Sequence, residues 1–385
     1  MKVNQMYEII NLSAKQAFGS EAVQVTDLRG LIAMGDTVLA TNANKDVFTG
    51  SLCDQISGIV VSNRKYSPKS KGLKKDIYEW GAALEKVYIE PYEASENEAW
   101  KISSENDPVK FDLGNHNRPS VKVEIFSVRD TWKYTISIPD YQLQSAFTGE
   151  SQMTAFIDGI YTELENAMAI AEENCANLTE ANYIAEKIQA QDDGVEGIHA
   201  VNLLHEYNTL TNAGLTVAKC LSDAGFLKFA GKEIKRYIEK FPYMNKLFNT
   251  KGYARFTPKD RLKLHLLSDY AAANATYLEA DTFNKELVAL PGYEEVAFWQ
   301  GLGTDGSFDS VSSINVTTSS GTTISKSGII GFAFDVEALG ILFDKLKQDA
   351  KYDPEHDLTK VWYKATKGYF NDMSEQAIVF YIEEV

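Results

Sequence analysis

Apolar and polar positions keep a helical period over one long stretch, Thr148 to about Glu173. Met153, Phe156, Ile157, Ile160, Leu164, Ala167, Met168, Ala171 and Cys175 fall on one stripe, and Glu150, Ser151, Asp158, Thr162, Glu163, Glu165 and Asn166 sit largely opposite. That pattern, held for about six turns, predicts an amphipathic helix roughly 39 Å long over the whole stretch, enough to cross a domain. Thr148 is placed to cap it, and the acids of its N-terminal half suit the helix dipole. This helix is read as the spine of the fold.

The other periods are shorter. Residues 1–57 carry short apolar clusters (Met6 to Ile10, Leu28 to Met34, Val38 to Ala40) between small and polar residues, the pattern of an arm, with one helical segment over Asp46–Ile56. Gly58–Val61 reads as a buried strand. Lys86–Glu90, Val121–Ile125 and Tyr134–Ile138 alternate with period two and predict strands of a long excursion. Between them, Glu93 to Asn117 is acidic and rich in Asn and Ser, too polar to supply much core. A hairpin of that length needs a surface to lie on, in its own chain or in another copy. After the spine, Leu178–Gln191 predicts a second helix ended by Asp192-Asp193-Gly194. Ser222-Asp223 predicts the cap of a helix through Ile238, interrupted by Pro242. Leu262–Leu267, Glu295–Trp299, Gly328–Asp335 and Ala377–Ile382 read as strands, Ala271–Val288 as a helix, and Ser319-Ser320-Gly321 as a hairpin turn. The mixture is that of an α+β chain, with no internal repeat and no low-complexity tract.

Composition narrows the class. At 385 residues the chain exceeds the size at which single cores divide, so two or more subdomains are expected. Its net charge of −16 disfavours wrapping nucleic acid and suits a surface that stays close to it without adhering. Three scattered cysteines imply no disulfide framework. Without a signal-like N-terminus or a run of eighteen apolar residues, the expectation is a soluble, reduced, cytosolic protein with no membrane span. Against the acidic background, Arg64, Lys65, Lys69, Lys71, Lys74 and Lys75 form the densest basic cluster, and a looser one runs from Lys228 to Lys263. The first is either a solvated loop or an electrostatic contact with an acidic neighbouring subunit.

No constellation of side chains predicts catalysis. His199 and His205 are six apart, which is not the spacing of a helical metal pair, and no cysteine or acid cluster accompanies them. Gly301-Leu302-Gly303-Thr304-Asp305-Gly306 matches a dinucleotide-binding pattern, but Ser307–Ser313 lacks the helical period that would present a helix N-terminus to pyrophosphate. The expectation is a non-enzymatic protein with no cofactor and no metal.

Several stretches together resemble a known family. They are Lys45-Asp46-Val47-Phe48-Thr49-Gly50-Ser51-Leu52-Cys53-Asp54-Gln55-Ile56, Val60-Val61, Lys74-Lys75, Glu85 to Tyr88, Asn115-His116-Asn117-Arg118, Tyr134-Thr135-Ile136, Leu143, Ala146-Phe147 and Phe156-Ile157. A fainter likeness returns at Phe332–Gly340 and Trp362–Tyr381. Over about two thirds of its length the chain resembles the major capsid proteins of tailed bacteriophages, in the Hong Kong 97-type fold, closest to short-tailed phages of the phi-twenty-nine group. The resemblance implies an N-terminal arm (1–65), an extended loop (66–138), a peripheral domain with the spine helix (139–190, returning over 328–385) and an axial domain (191–327). It further implies a virion subunit, assembled in the host cytoplasm, that forms pentamers and hexamers of an icosahedral head around double-stranded DNA. Its partners would be itself and scaffolding and portal proteins, with no sequence-specific DNA binding. The family's lysine–asparagine crosslink has no matching pattern here. Relatives often end in an immunoglobulin-like domain, for which a chain stopping at Val385 has no room, and residues 300–327 have no counterpart. An encapsulin-like compartment shell or another phage structural protein is the alternative on the same fold; an enzyme without recognisable motifs is a third.

Overall fold

The computed structural model describes residues 3–19, 24–62, 72–73, 84–90, 120–126, 129–276, 292–300, 307–318 and 320–384. The architecture is mixed α+β and divides into two compact units. The first comprises residues 1–77, 129–179 and 340–369, and the second 78–128, 180–339 and 370–385.

In the first unit, α1 (Val3–Phe18), α2 (Leu28–Leu39) and α3 (Asn42–Ser62) precede strand β3 (Arg129–Pro139), α4 (Asp140–Ala146) and α5 (Glu150–Asp192), of which residues to 179 belong here. Strands β10 (Leu339–Asp353) and β11 (Leu358–Asn371) close a three-stranded sheet in the order β10-β11-β3. The apolar clusters expected of an arm are the buried faces of three helices. Met6, Ile9, Ile10 and Ala14 of α1 follow the helical period, as do Leu31, Met34 and Val38 of α2, whose N-cap Asp27 accepts from the Gly30 amide at 2.8 Å. They join Ile136, Ile138, Met153, Ile157, Leu164, Val361 and Tyr363 in one core. A buried ion pair, Lys45 with Asp140, joins α3 to α4.

Two expectations are corrected here. Gly58–Val61 is the last part of α3, not a strand: the helix begun at Asn42 overrides the β preference of Ile59-Val60-Val61. The spine and the helix expected from Leu178 are one continuous 43-residue helix, about 64 Å long. Thr148 is not its cap, since its hydroxyl donates to the Ser145 carbonyl at 2.6 Å.

The second unit is built on a five-stranded sheet in the order β4-β12-β9-β5-β6, from β4 (Ala200–Asn202), β12 (Ala377–Tyr381), β9 (Ile329–Asp335), β5 (Leu262–Leu267) and β6 (Glu294–Val296). The strands expected at 328–335 and 377–382 thus lie at the centre of this sheet, although they were expected with the returning peripheral segment. Successive residues of β9 point to opposite faces. Ala333, aligned with Ile378 and Leu264, packs with Phe226, Leu227, Ala230 and Ile234 of α8 (Ala224–Ile238) and with Leu203 and Leu204 of α6 (Leu203–Thr211). Phe332, aligned with Val379 and His265, turns the other way and meets the Tyr183 ring of α5. Helix α5 therefore covers one face of the sheet, and α6 with α8 the other. Asp223 caps α8 by accepting from the Phe226 amide at 2.6 Å, as expected. A short α7 (Val217–Cys220) precedes it.

Beyond β5, α9 (Ser268–Asn274) begins the expected helix, whose remainder from 277 to Val288 lies outside the described residues. Strand β6 is shorter than expected, and Trp299 beyond it is buried, its indole N–H donating to the Ile329 carbonyl at 2.7 Å. Strands β7 (Ile314–Thr317) and β8 (Thr323–Lys326) form the predicted hairpin. Strands β1 (Leu84–Ile89) and β2 (Val121–Phe126) form another, described next.

Candidate assembly surface

In the β1–β2 ribbon, Glu85 stands opposite Ile125, Lys86 opposite Glu124, Val87 opposite Val123, Tyr88 opposite Lys122 and Ile89 opposite Val121. Alternation therefore sorts Val87, Ile89, Val121, Val123 and Ile125, with Glu85 at the end, onto one face and Lys86, Tyr88, Lys122, Glu124 and Phe126 onto the other. The polar and aromatic face is the inner one. Tyr88 is buried, while the five β-branched residues are 49–65% exposed. A soluble hairpin lying on a core has the opposite polarity.

What anchors the inner face is a set of charges and rings within the second unit. The Lys86 ammonium donates to Asp372 at 2.8 Å and to the Glu337 carbonyl at 2.6 Å, with Glu375 at 3.6 Å. The Tyr88 hydroxyl also donates to Asp372, and the Ser374 amide and hydroxyl donate to its other oxygen. The Arg255 guanidinium lies 4.1 Å over the Tyr88 ring, Lys122 lies 4.3 Å over Tyr253, and Phe126 meets Phe370. Lys251 stands 3.7 Å from Glu124. Burial pushes the Asp372 carboxyl up. The Lys86 charge and the hydrogen bonds from Lys86, Ser374 and Tyr88 outweigh it, and the net shift is downward. Glu375 is raised by burial, against Lys86 and Arg255. An ionised Asp372 thus gathers donors from β1 and from its own turn and fixes the ribbon apolar side outward. Five adjacent exposed Val and Ile side chains make a patch of the kind that marks a contact surface.

Residues singled out from sequence fare unevenly. The basic cluster Arg64, Lys65, Lys69, Lys71, Lys74 and Lys75 lies outside the described residues, as do the acidic segment Glu93–Asn117 and the glycine pattern at 301–306. His199 is fully buried, and burial together with the nearby Lys187 charge pushes its pKa down to about 4. His205 sits in the first turn of α6, its amide held by Asn202 at 3.1 Å. Among the described residues, Asp353, Glu355 and His356 at the β10–β11 turn bring potential ligand atoms within 4.8 Å of one another. That turn is largely exposed, and Asp353 is already engaged by Lys360 at 2.6 Å. Cys53, Cys175 and Cys220 are buried and, among the described residues, form no disulfide.

Sequence reading missed the Asp372 anchor and a bridge in which His265 contacts Glu180 at 2.6 Å and Glu294 at 3.1 Å. The alternation of Lys86, Tyr88, Lys122 and Glu124 with β-branched residues was visible. Which side faces inward was not.

Comparison with known proteins follows the same line. The sequence model of the Phi29-like phage major capsid proteins matches residues 8–381. The chain is 26% identical over 195 residues to the major capsid protein of Bacillus phage GA-1; the match covers 48% of this chain and only 38% of that protein. In three dimensions it shares the fold of a chain in the capsid of Staphylococcus phage Andhra (TM-score 0.51, 12% identity, 81% of this chain and 83% of that chain). A chain of native bacteriophage P68 is more distant (TM-score 0.48, 11% identity, 81% and 84% covered). Among the described residues, no helix is long and apolar enough to cross a membrane.

Proposed function

Because this chain belongs to the Phi29-like phage major capsid protein family, we propose that it is the structural subunit of a tailed-phage head, forming rings of five and six that close into an icosahedral shell around double-stranded DNA. The observation that carries the reading is the outward apolar face of the β1–β2 ribbon, with Val87, Ile89, Val121, Val123 and Ile125 exposed. A two-stranded ribbon is marginal by itself, and this one keeps its most apolar side away from its own subunit. A neighbouring copy in a shell would cover that side. In the finer assignment to the Hong Kong 97-type plan, the segment within 66–138 that carries the β1–β2 ribbon would be the extended loop, the first compact unit, with the helices of the N-terminal arm (1–65) packed into it, the peripheral domain, and the rest of the second unit the axial domain. Scaffolding and portal proteins would be partners in the host cytoplasm, and the basic cluster Arg64 to Lys75 would meet a neighbouring subunit.

Negative-stain electron microscopy of the purified protein, expressed with and without its neighbouring genes, tests this. Closed particles or rings of five and six are expected. A monodisperse monomer under both conditions would overturn the proposal.

A further inference from the structure

Residues 228–263 hold eleven Lys and Arg against three carboxylates, in a chain whose net charge is −16. The densest part is α8. Its buried side carries Phe226, Leu227, Ala230, Ile234 and Tyr237, and its exposed side carries Lys228, Lys232, Lys235 and Arg236, followed by Lys240. Spacings of three and four put these cations on one stripe, where they repel each other. Glu233 takes up Lys232 at 3.3 Å and Arg236, and Glu239 is drawn to Lys259 at 3.3 Å. Among the described residues, no ion pair engages Lys228, Lys235 or Lys240.

The opposite situation holds where α5 ends. Its last turn contains no basic residue, and it runs into Asp192, Asp193 and Glu196, all exposed. Carboxylates at a helix C-terminus face the negative end of the dipole, an unfavourable placement that a cation relieves. Among the described residues none of the three has an ion-pair partner.

Within a copy, no ion pair among the described residues joins these two surfaces. Helix α8 covers the Ala333 face of the sheet and α5 the Phe332 face, so the sheet lies between the two helices. Between copies the two surfaces can pair. A contact joining one surface to a different surface of the next copy is heterologous, the kind that generates closed rings. We propose that the basic face of α8 docks on the acidic end of α5 in a second copy of this chain, pairing Lys228, Lys235 and Lys240 with that copy's Asp192, Asp193 and Glu196. This rests on the shell-subunit reading and names the electrostatic contact that would set the order of subunits within a ring. The alternative occupant, packaged DNA, is disfavoured because the same unit presents carboxylates as well as cations to its surroundings.

A charge swap in the full chain, expressed with the genes that yield particles, decides it. The variants are Lys228→Glu with Lys235→Glu, Asp192→Lys with Asp193→Lys, and all four together. Each pair is expected to lower closed-particle yield about tenfold through like-charge contacts, and the combination to restore most of it. Melting temperatures of the unassembled subunits show whether each variant folds. If the fourfold variant does not fold, Lys235→Cys with Asp193→Cys replaces it, and a ladder of disulfide-linked copies under mild oxidation is expected. Normal assembly of both pairs, a folded fourfold variant that fails to recover, or the absence of a ladder would overturn the contact. Normal assembly of the lysine pair with loss of DNA retention would overturn it in favour of a DNA-facing surface. Wild-type protein that forms no particles would fail the shell reading itself, a result visible before any variant is compared.

Discussion

The Lys86 ammonium and the Asp372 carboxylate meet at 2.8 Å with the Asp372 side chain fully buried, and through this pair β1 is held to the turn that follows β11. The relationship explains why the ribbon's inner side is its charged side: the anchor is an ion, and its ligands had to be polar.

Lys86→Met removes the cation and leaves the buried carboxylate with only its neutral donors. The expected cost is about 3 kcal/mol, read from chemical unfolding of the unassembled subunit. A pH effect accompanies it. Asp372 is held below the ordinary value of 3.8, so its contribution is present above its unfolded pKa and lost as pH falls through the folded value. Without Lys86 that loss should begin at higher pH. Limited proteolysis of the 91–119 segment across pH 3–6 would show this as earlier cleavage in the variant.

Val123→Lys with Ile125→Lys places charge on the outward face, where both residues are about half exposed or more. Subunit stability should move by no more than about 0.5 kcal/mol, whereas the yield of closed particles should collapse. Sedimentation and thermal melting together check it. Particles at normal yield would remove the ribbon face from the interface.

Lys187 is fully buried, donates to the Phe248 carbonyl at 2.7 Å, and has its pKa pushed down to about 7 by burial against the opposing charges of Asp372 and Glu186. Its unfolded value is near 10.4, so between pH 7 and 10 the unfolded chain binds more protons and stability should rise with pH. The gain from this group over pH 7–9 is about 2–3 kcal/mol, at 1.36 kcal/mol per unit. Lys187→Met should abolish that rise. A variant with the wild-type slope would count against the assignment.

Gly328 has φ +79°, and a Cβ there would stand 2.1 Å from the Ile382 carbonyl oxygen, whose own amide donates to the Gly328 carbonyl at 2.8 Å. Gly328→Ala should cost about 3 kcal/mol or more, combining left-handed strain with displacement of β12. Gly321, at φ +86° in the β7–β8 turn with open space around it, should cost only about 1–2 kcal/mol when changed to Ala. The difference in melting temperature between the two variants separates strain from collision.

Much of the fold could be read from local pattern. The Asp223 cap, the alternation of β5 and the turn at Gly321 each depend on residues a few positions apart. The single long helix was split because Leu178-Thr179-Glu180 looks like a helix start; in the structure the Thr179 hydroxyl donates back to the Cys175 carbonyl at 2.7 Å, satisfied within the helix. Strands β10 and β11 went unread, although β11 buries Val361, Tyr363 and Ala365 in strict alternation. Its lysines dilute the apolar signal. The sidedness of the β1–β2 ribbon had no local signal at all, because the residue that decides it, Asp372, lies 284 positions from Tyr88.

The order in which the strands are synthesised has its own consequence. Strand β3 is made early, yet its partner in the first sheet is β11, with Pro139 paired to Leu358, and the second sheet needs β12 between β4 and β9. At roughly 5–20 residues per second, the ribosome works for about 20–80 s before either sheet can be completed. Until then the edges of β3 and β9 wait for partners, a delay typical of non-local pairing. A chain broken off before about residue 371 can finish neither sheet, and one broken off before about 381 still lacks the strand that joins β4 to β9.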